Sequence, residues 1–194
     1  MMRLQERFRT PRLLLTRIGP DDLGDMLGLH REAQVARALG GAQADGEIAT
    51  LVGTLATQWD QHGFGWWAVR DPATGRFIGR GGLRRVNVDS AHEVDLGYAL
   101  LPEFWNRGLA TELCRVSVAQ GFVRLGLADI VSFTLPENRG SRRVMEKTGM
   151  RYEREIVHGG MQHVLYRLTA ACWRTSLPAA SARNTRPSGE LVAG

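Results

Sequence analysis

Cysteine is nearly missing from this sequence: Cys114 and Cys172 stand far apart, outside any Cys-x-x-Cys pattern and without a histidine-rich neighbourhood. That spacing indicates neither a disulfide framework nor a zinc site built on paired thiolates, and it is the usage expected in a reducing compartment. Lysine is rarer still, with Lys147 the one example, so almost all of the 25 basic residues are arginine, set against 20 acidic ones for a net charge of +5. Arginine suits bidentate phosphate contacts, but a GC-rich genome yields the same composition. Aromatic and basic residues are not interleaved as nucleic-acid binding would require, so no nucleic-acid partner is expected. No uncharged apolar run reaches membrane-spanning length, and the charged first nine residues lead into no signal-peptide core, so a soluble, cytoplasmic chain without membrane contact is expected. A Walker A sequence is absent. His62, His92, His158 and His163 lack metal-ligand spacing and read as surface or core residues, so no metal is expected.

The 43% hydrophobic content can fill one sizeable core. Residues 1–173 read as one domain, and residues 174–194, rich in Ser, Ala, Pro, Arg and Gly without periodicity, as a disordered basic tail. Within the domain, residues 12–18 form a short apolar strand between Pro11 and Gly19-Pro20. A helix starts at Asp21-Asp22, and Ile48, Leu51, Val52, Leu55 and Trp59 place an amphipathic helix over 45–61. Residues 66–70 and 77–83 form a hairpin around the Pro- and Gly-containing turn 71–75. Gly79-Arg80-Gly81-Gly82 lacks dinucleotide-site spacing and marks a bulge or a close backbone approach. Phe64, Trp66 and Trp67 at a strand start read as core more readily than as pocket lining.

In the next strand, residues 92–101, Val94, Leu96, Tyr98 and Leu100 alternate with Glu93, Asp95, Gly97 and Ala99, which predicts one buried face and one accessible carboxylate face. The strand runs through Pro102 into Trp105-Asn106-Arg107-Gly108 and then a helix of about four turns toward Gly126. The first turn of a helix leaves amide hydrogens unpaired and carries part of a positive charge, so this start favours an anion such as a pyrophosphate. Gly108 and Ala110 keep side chains out of the way, and Arg107 adds charge. A buried strand follows at 130–135, then a helix from Asn138 to a Gly149 cap, and a closing pair of strands over 150–157 and 161–169.

Taken together, Thr10-Pro11-Arg12-Leu13, Leu96-Gly97-Tyr98, Trp105 through Glu112, and Asn138 through Met150 resemble the GNAT superfamily of N-acetyltransferases. The likeness extends to the branch that acetylates ribosomal-protein N-termini (Rim-type), in order and spacing over residues 8–172. The resemblance implies an α+β fold: a mixed, mostly antiparallel sheet of six to seven strands, splayed after the fourth, with helices on both faces. It implies acetyl-CoA as cosubstrate, with the pantetheine arm pairing with backbone at Tyr98, Ala99 and Leu100. Asn106, Arg107, Gly108, Leu109, Ala110 and Thr111 would take the pyrophosphate, Asn138 the pantetheine arm, and Arg142 or Arg143 the nucleotide phosphates. The partner is an amine acceptor, a protein N-terminus or a small amine, and a homodimer is left open.

Acetyl transfer requires a proton to leave an ammonium whose ordinary pKa is ~8 for an α-amine and ~10.4 for lysine. A carboxylate can take it. Asp95, aligned with the acidic residue before Leu-Gly-Tyr in the branch, is the first candidate and Glu93 the second. The resemblance also implies that a backbone amide near Leu100 stabilises the oxyanion, as such sites do. Where many superfamily members carry a tyrosine as general acid this chain has Met145, which leaves Ser141 as the nearest hydroxyl on that helix. The absent tyrosine keeps a non-catalytic acyl-CoA-binding protein as the alternative.

Overall fold

The computed structural model describes residues 3–177. The chain opens with β1 (Arg7–Arg9) and β2 (Leu14–Arg17), crosses three helices, α1 (Leu23–Arg31), α2 (Ala33–Ala38) and α3 (Asp45–His62), and returns as β3 (Trp66–Arg70), β4 (Phe77–Val88) and β5 (Ala91–Leu100). Then come α4 (Leu109–Ala119), β6 (Asp129–Thr134), α5 (Arg139–Lys147), β7 (Arg151–His158), β8 (Met161–Thr169) and α6 (Ala170–Ser176). All strands join one sheet in the order β1-β2-β3-β4-β5-β6-β8-β7, parallel between β5 and β6 and antiparallel elsewhere. The expected α+β architecture is therefore present, with eight strands instead of six to seven. The extra strand is β1, whose three polar-flanked residues give no periodic signal in the sequence but pair with β2 from Arg7↔Thr16 to Arg9↔Leu14.

Local chemistry sets the boundaries. Helix α3 buries Ile48, Val52, Leu55 and Trp59 and stops at Gly63, whose φ of 72° is the left-handed geometry that glycine adopts freely. Trp59 stacks edge-on to Trp67 at 5.8 Å and donates from Nε1 to the Trp66 carbonyl, tying the helix to β3. The helix expected to run to Gly126 closes in a π turn over Gln120–Arg124. Arg174, expected to open the tail, instead lies in α6, where Thr169 caps the first turn by accepting from the Cys172 amide. Residues 178–194, the rest of that expected tail, lie outside the described residues.

The main core runs beneath the sheet from Leu13 and Leu15 through Trp67, Leu83 and Leu113 to Tyr166. Helix α4 packs across β4 and β5, with Leu113 against Gly81; Gly81 also passes so close to Gly97 and Tyr98 that a side chain would not fit, as the Gly-rich stretch suggested. Arg80, one residue earlier, points from the opposite face, within electrostatic reach of His30 of α1. Helices therefore cover both faces. Ten residue pairs register β4 with β5, whereas β5 meets β6 at Asp95↔Val131 alone, and that divergence is the splay expected after the fourth strand, which becomes the fifth because β1 precedes the strands expected.

Candidate active site

The gap between β5 and β6 opens into a cavity of about 1020 Å³. Two hydrogen bonds show how the strand presents itself there: the Leu96 carbonyl accepts from Ser132 Oγ at 2.8 Å and the Leu100 carbonyl from Trp105 Nε1 at 2.7 Å. Backbone groups of alternate residues point the same way in a strand, so the Tyr98 backbone, between these two, also faces the gap and not β4. A strand edge with unpaired polar groups at the rim of a cavity is suited to pairing with an extended ligand.

The loop after β5 is held by positive φ at Asn106 (58°) and Gly108 (75°), which turns the chain sharply into α4. From Asn106 to Thr111 the amides meet no acceptor among the described residues; the first paired one is Glu112, which donates to the Gly108 carbonyl at 3.0 Å. Thr10-Pro11-Arg12-Leu13, the N-terminal piece of the motif set, buttresses this loop. Arg12 donates to Glu112 Oε2 at 2.6 Å and to the Arg107 carbonyl at 2.8 Å, and Thr10 Oγ1 donates to Glu112 Oε1 at 2.6 Å. Burial alone would raise the Glu112 carboxyl, but the Thr10 and Arg12 hydrogen bonds outweigh it and bring it below the usual range. The acid in the first turn is thus engaged from outside, and the amides stay available.

All the residues expected in the site line this cavity except Glu93, Arg107 and Arg142. Glu93 accepts from Arg167 Nη2 at 2.8 Å, beside Asp129 and Glu153 on the same guanidinium, so it serves a charge cluster outside the cavity lining. Arg107 is exposed and lays its guanidinium over the Phe104 ring at 5.7 Å. Arg142 turns inward to the Tyr166 hydroxyl and the Pro136 carbonyl, both at 3.1 Å, and it is Arg143 that reaches the lining. Asn138 caps α5, accepting from the Ser141 amide at 3.0 Å.

Asp95 lies in the cavity wall, but the accessible carboxylate face expected of its strand is not there: its residue surface is 2% exposed. The reason lies on the neighbouring strand, where Arg84, its register partner, donates from Nε to Oδ2 at 2.9 Å. Burial pushes the Asp95 carboxyl up, against the pull of Arg84, Arg80 and His158. Ser141 Oγ lies 2.8 Å from the Tyr98 hydroxyl, which is also 3.0 Å from the Ser141 carbonyl. Burial raises the Tyr98 phenol well above its ordinary value, so it stays protonated. Met145 is buried in the core and offers no proton.

Sequence reasoning missed a second wall. His158 and His163, read as surface or core, flank Phe133 at 4.8 Å and 5.4 Å, and both line the cavity. They are brought there by the expected β7–β8 hairpin through its pairing with β6, which no local pattern reveals. Burial, with Arg84 nearby, lowers the His158 pKa and favours a neutral imidazole. Trp66, Arg80 and His30 line it too. Gly97 makes room for Trp66, since any side chain there would collide with the indole. The one signal for Arg80 was a charge inside an otherwise uncharged, glycine-rich strand segment.

Comparison with known proteins decides the family, since the model described as "Acetyltransferase (GNAT) domain" matches residues 12–151. The chain belongs to the GNAT acetyltransferase family. Among curated relatives, the Bacillus subtilis protein YkkB is 30% identical over 95 residues, 49% of this chain and 55% of that one, so this chain matches about half of that relative's length. The N-acetyltransferase YoaA of the same organism is 25% identical over 148 residues, 75% of this chain and 83% of its own. Among solved structures, a ribosomal-protein-S5-alanine acetyltransferase from Vibrio fischeri superposes with a TM-score of 0.69 at 17% identity, covering 87% of this chain and 99% of that one, a likeness of fold. No helix among the described residues is long and apolar enough to cross a membrane.

Proposed function

We propose that this GNAT-family chain is an acetyl-CoA-dependent N-acetyltransferase that passes the acetyl group to a primary amine by direct attack in a ternary complex. The observation that carries this reading is the run of unpaired amides through Gly108–Thr111 at the start of α4, opening on the same cavity as the free edge of β5. Backbone donors at a helix start hold a diphosphate, and the Tyr98 backbone is placed to pair with an amide-containing arm running along the strand. Arg143, which lines the cavity, takes the role toward the nucleotide phosphates in preference to Arg142. Acetyl-CoA supplies the activated carbonyl and a thiolate leaving group.

Asp95 takes the proton from the acceptor ammonium, directly or through a water, and its raised pKa makes it the stronger base for that step. The Leu100 amide donates to the carbonyl oxygen as negative charge develops on it. As the carbon–sulfur bond breaks, Ser141 Oγ, positioned by the Tyr98 hydroxyl 2.8 Å away, donates a hydrogen bond to the sulfur, which leaves as the thiolate. That pair fills the role of the tyrosine that Met145 replaces. The acceptor in this reading is a primary amine, either a protein N-terminal α-amine or a small-molecule amine.

Incubation with labelled acetyl-CoA and a panel of N-terminal peptides, lysine peptides and small amines tests the reading. Label transferred to an amine supports it; bound CoA with no transfer to any amine would leave an acyl-CoA-binding protein instead.

A further inference from the structure

The described residues contain three buried side-chain nitrogens without a hydrogen-bond partner: His30 Nε2, Trp66 Nε1 and Arg80 Nε. All three residues line the cavity. Native interiors leave few such groups unsatisfied, and three around one space make it suited to a polar ligand. The cluster goes beyond the family reading, which engages the strand edge, the start of α4 and Asp95.

Arg80 is the most telling of the three. It is 5% exposed and pairs with no carboxylate among the described residues, because the one acid nearby, Asp95, is engaged by Arg84. Its guanidinium lies 3.9 Å from the Trp66 ring centroid, and that of Arg84 lies 4.5 Å from the same ring. The indole between them offers π density to both, but a cation–π contact leaves the planar N–H fork free. Burial and the neighbouring Arg84 push the Arg80 pKa down to about 9, which marks the strain of a cation that lacks its counter-charge. With Arg80 and Arg84 charged and Asp95 ionised, this wall carries one uncompensated positive charge. A single anion neutralises it. The opposite requirement is met close by: His30 Nδ1 lies 2.7 Å from Gln43 Oε1, an acceptor, so the proton sits on Nδ1 and the buried, unpartnered Nε2 is left as an acceptor.

We propose that Arg80 and Trp66 form a carboxylate subsite and that the acceptor is a small amine carrying its own carboxylate, of the α-amino-acid class. This rests on the acetyl-transfer reading and narrows its acceptor. The Arg80 fork takes the carboxylate, Trp66 Nε1 adds a donor, and the amine is left toward Asp95 and His30. A polycationic amine would meet Arg80 and Arg84 with like charge. A protein N-terminus would offer a neutral peptide carbonyl in place of the anion, leaving the guanidinium without its charge partner.

The test compares, on the CoA-bound protein, binding by calorimetry and acetylation by labelled acetyl-CoA for the common L-amino acids, their amides, alanyl peptides and spermidine. The proposal expects at least one free amino acid to be preferred over its amide on the order of 100-fold, although the amide carries the less basic and intrinsically more available amine. Arg80→Gln should reduce that preference to a few-fold, Arg80→Lys should restore part of it, and both should bind CoA as the unaltered protein does. Equal handling of acid and amide, a preference for peptides or spermidine, no binding of any free acid, or an intact preference in Arg80→Gln each overturns it. Selective binding of an acid without acetyl transfer to any amine would retain the subsite and reject the transferase reading.

Discussion

Two arginines of one sheet illustrate two uses of charge. Arg167 on β8 collects Glu93, Asp129 and Glu153, and the hydrogen bonds it donates to them raise its pKa further. Arg80 on β4, more deeply buried, faces no carboxylate of its own and is pushed down instead. The satisfied cluster holds β5, β6, β7 and β8 together below the point where β5 and β6 part. The unsatisfied one lies where they part, in a cavity wall. A completed charge network serves stability, and an incomplete one beside a cavity is built for what enters.

The sharpest way to break this comparison is on the catalytic side. Asp95→Asn keeps the shape of the side chain that faces Arg84 but cannot accept a proton, so kcat should fall on the order of 10²–10³-fold with CoA affinity unchanged. Steady-state rates with calorimetry check it, and an active Asn variant would move the base to His158. The structural side is next: Arg167→Met strands three carboxylates and should cost roughly 3 kcal/mol in urea unfolding. Arg80→Gln, which removes a charge that lacks a partner, should cost far less than that. A similar loss in both would erase the distinction drawn here.

Much of this architecture was legible in the sequence, for local reasons. The pattern from Leu96 to Thr111 encodes strand, turn and helix start in consecutive residues, and Asn138 to Gly149 carries its own caps. What stayed hidden depends on neighbours remote in the chain. Glu93 and Asp95 look equivalent along β5, yet one meets Arg167 from β8 and the other Arg84 from β4. Arg142 and Arg143 are adjacent, and the helical rotation of one residue sends the first to Tyr166 and the second to the cavity lining. His158 arrives through a hairpin. Trp66 and Arg80 meet because β3 and β4 pair, and a linear reading of Gly79-Arg80-Gly81-Gly82 shows the close approach but not the guanidinium's place.

Smaller effects sharpen the account of the loop. Arg12→Ala removes the donor to the Arg107 carbonyl and to Glu112, so the helix start loosens and its carboxylate loses a partner. CoA affinity should weaken about tenfold, a value set by roughly one hydrogen bond to a charged group. Unchanged affinity would mean that Thr10 alone suffices. The pH dependence of folding is the mildest of these effects. His30, lowered to about 4 from an ordinary 6.5 chiefly by burial, is held neutral in the fold. The unfolded chain therefore binds a proton that the folded one refuses, so the stability His30 contributes is complete above 6.5 and drains away as the pH falls toward 4. His30→Gln should flatten that part of the stability curve, as urea midpoints across the range would show; an unaltered slope would assign it to other groups.

In the proposed function, amide hydrogens at the start of α4 grip a diphosphate. Nitrogen–proton correlation spectra recorded during titration with CoA test it most directly. The amides of Gly108, Leu109, Ala110 and Thr111 should shift more than any in β1–β3 and should move little with pantetheine, which lacks the diphosphate. Tight CoA binding that leaves these amides unmoved would place the diphosphate elsewhere.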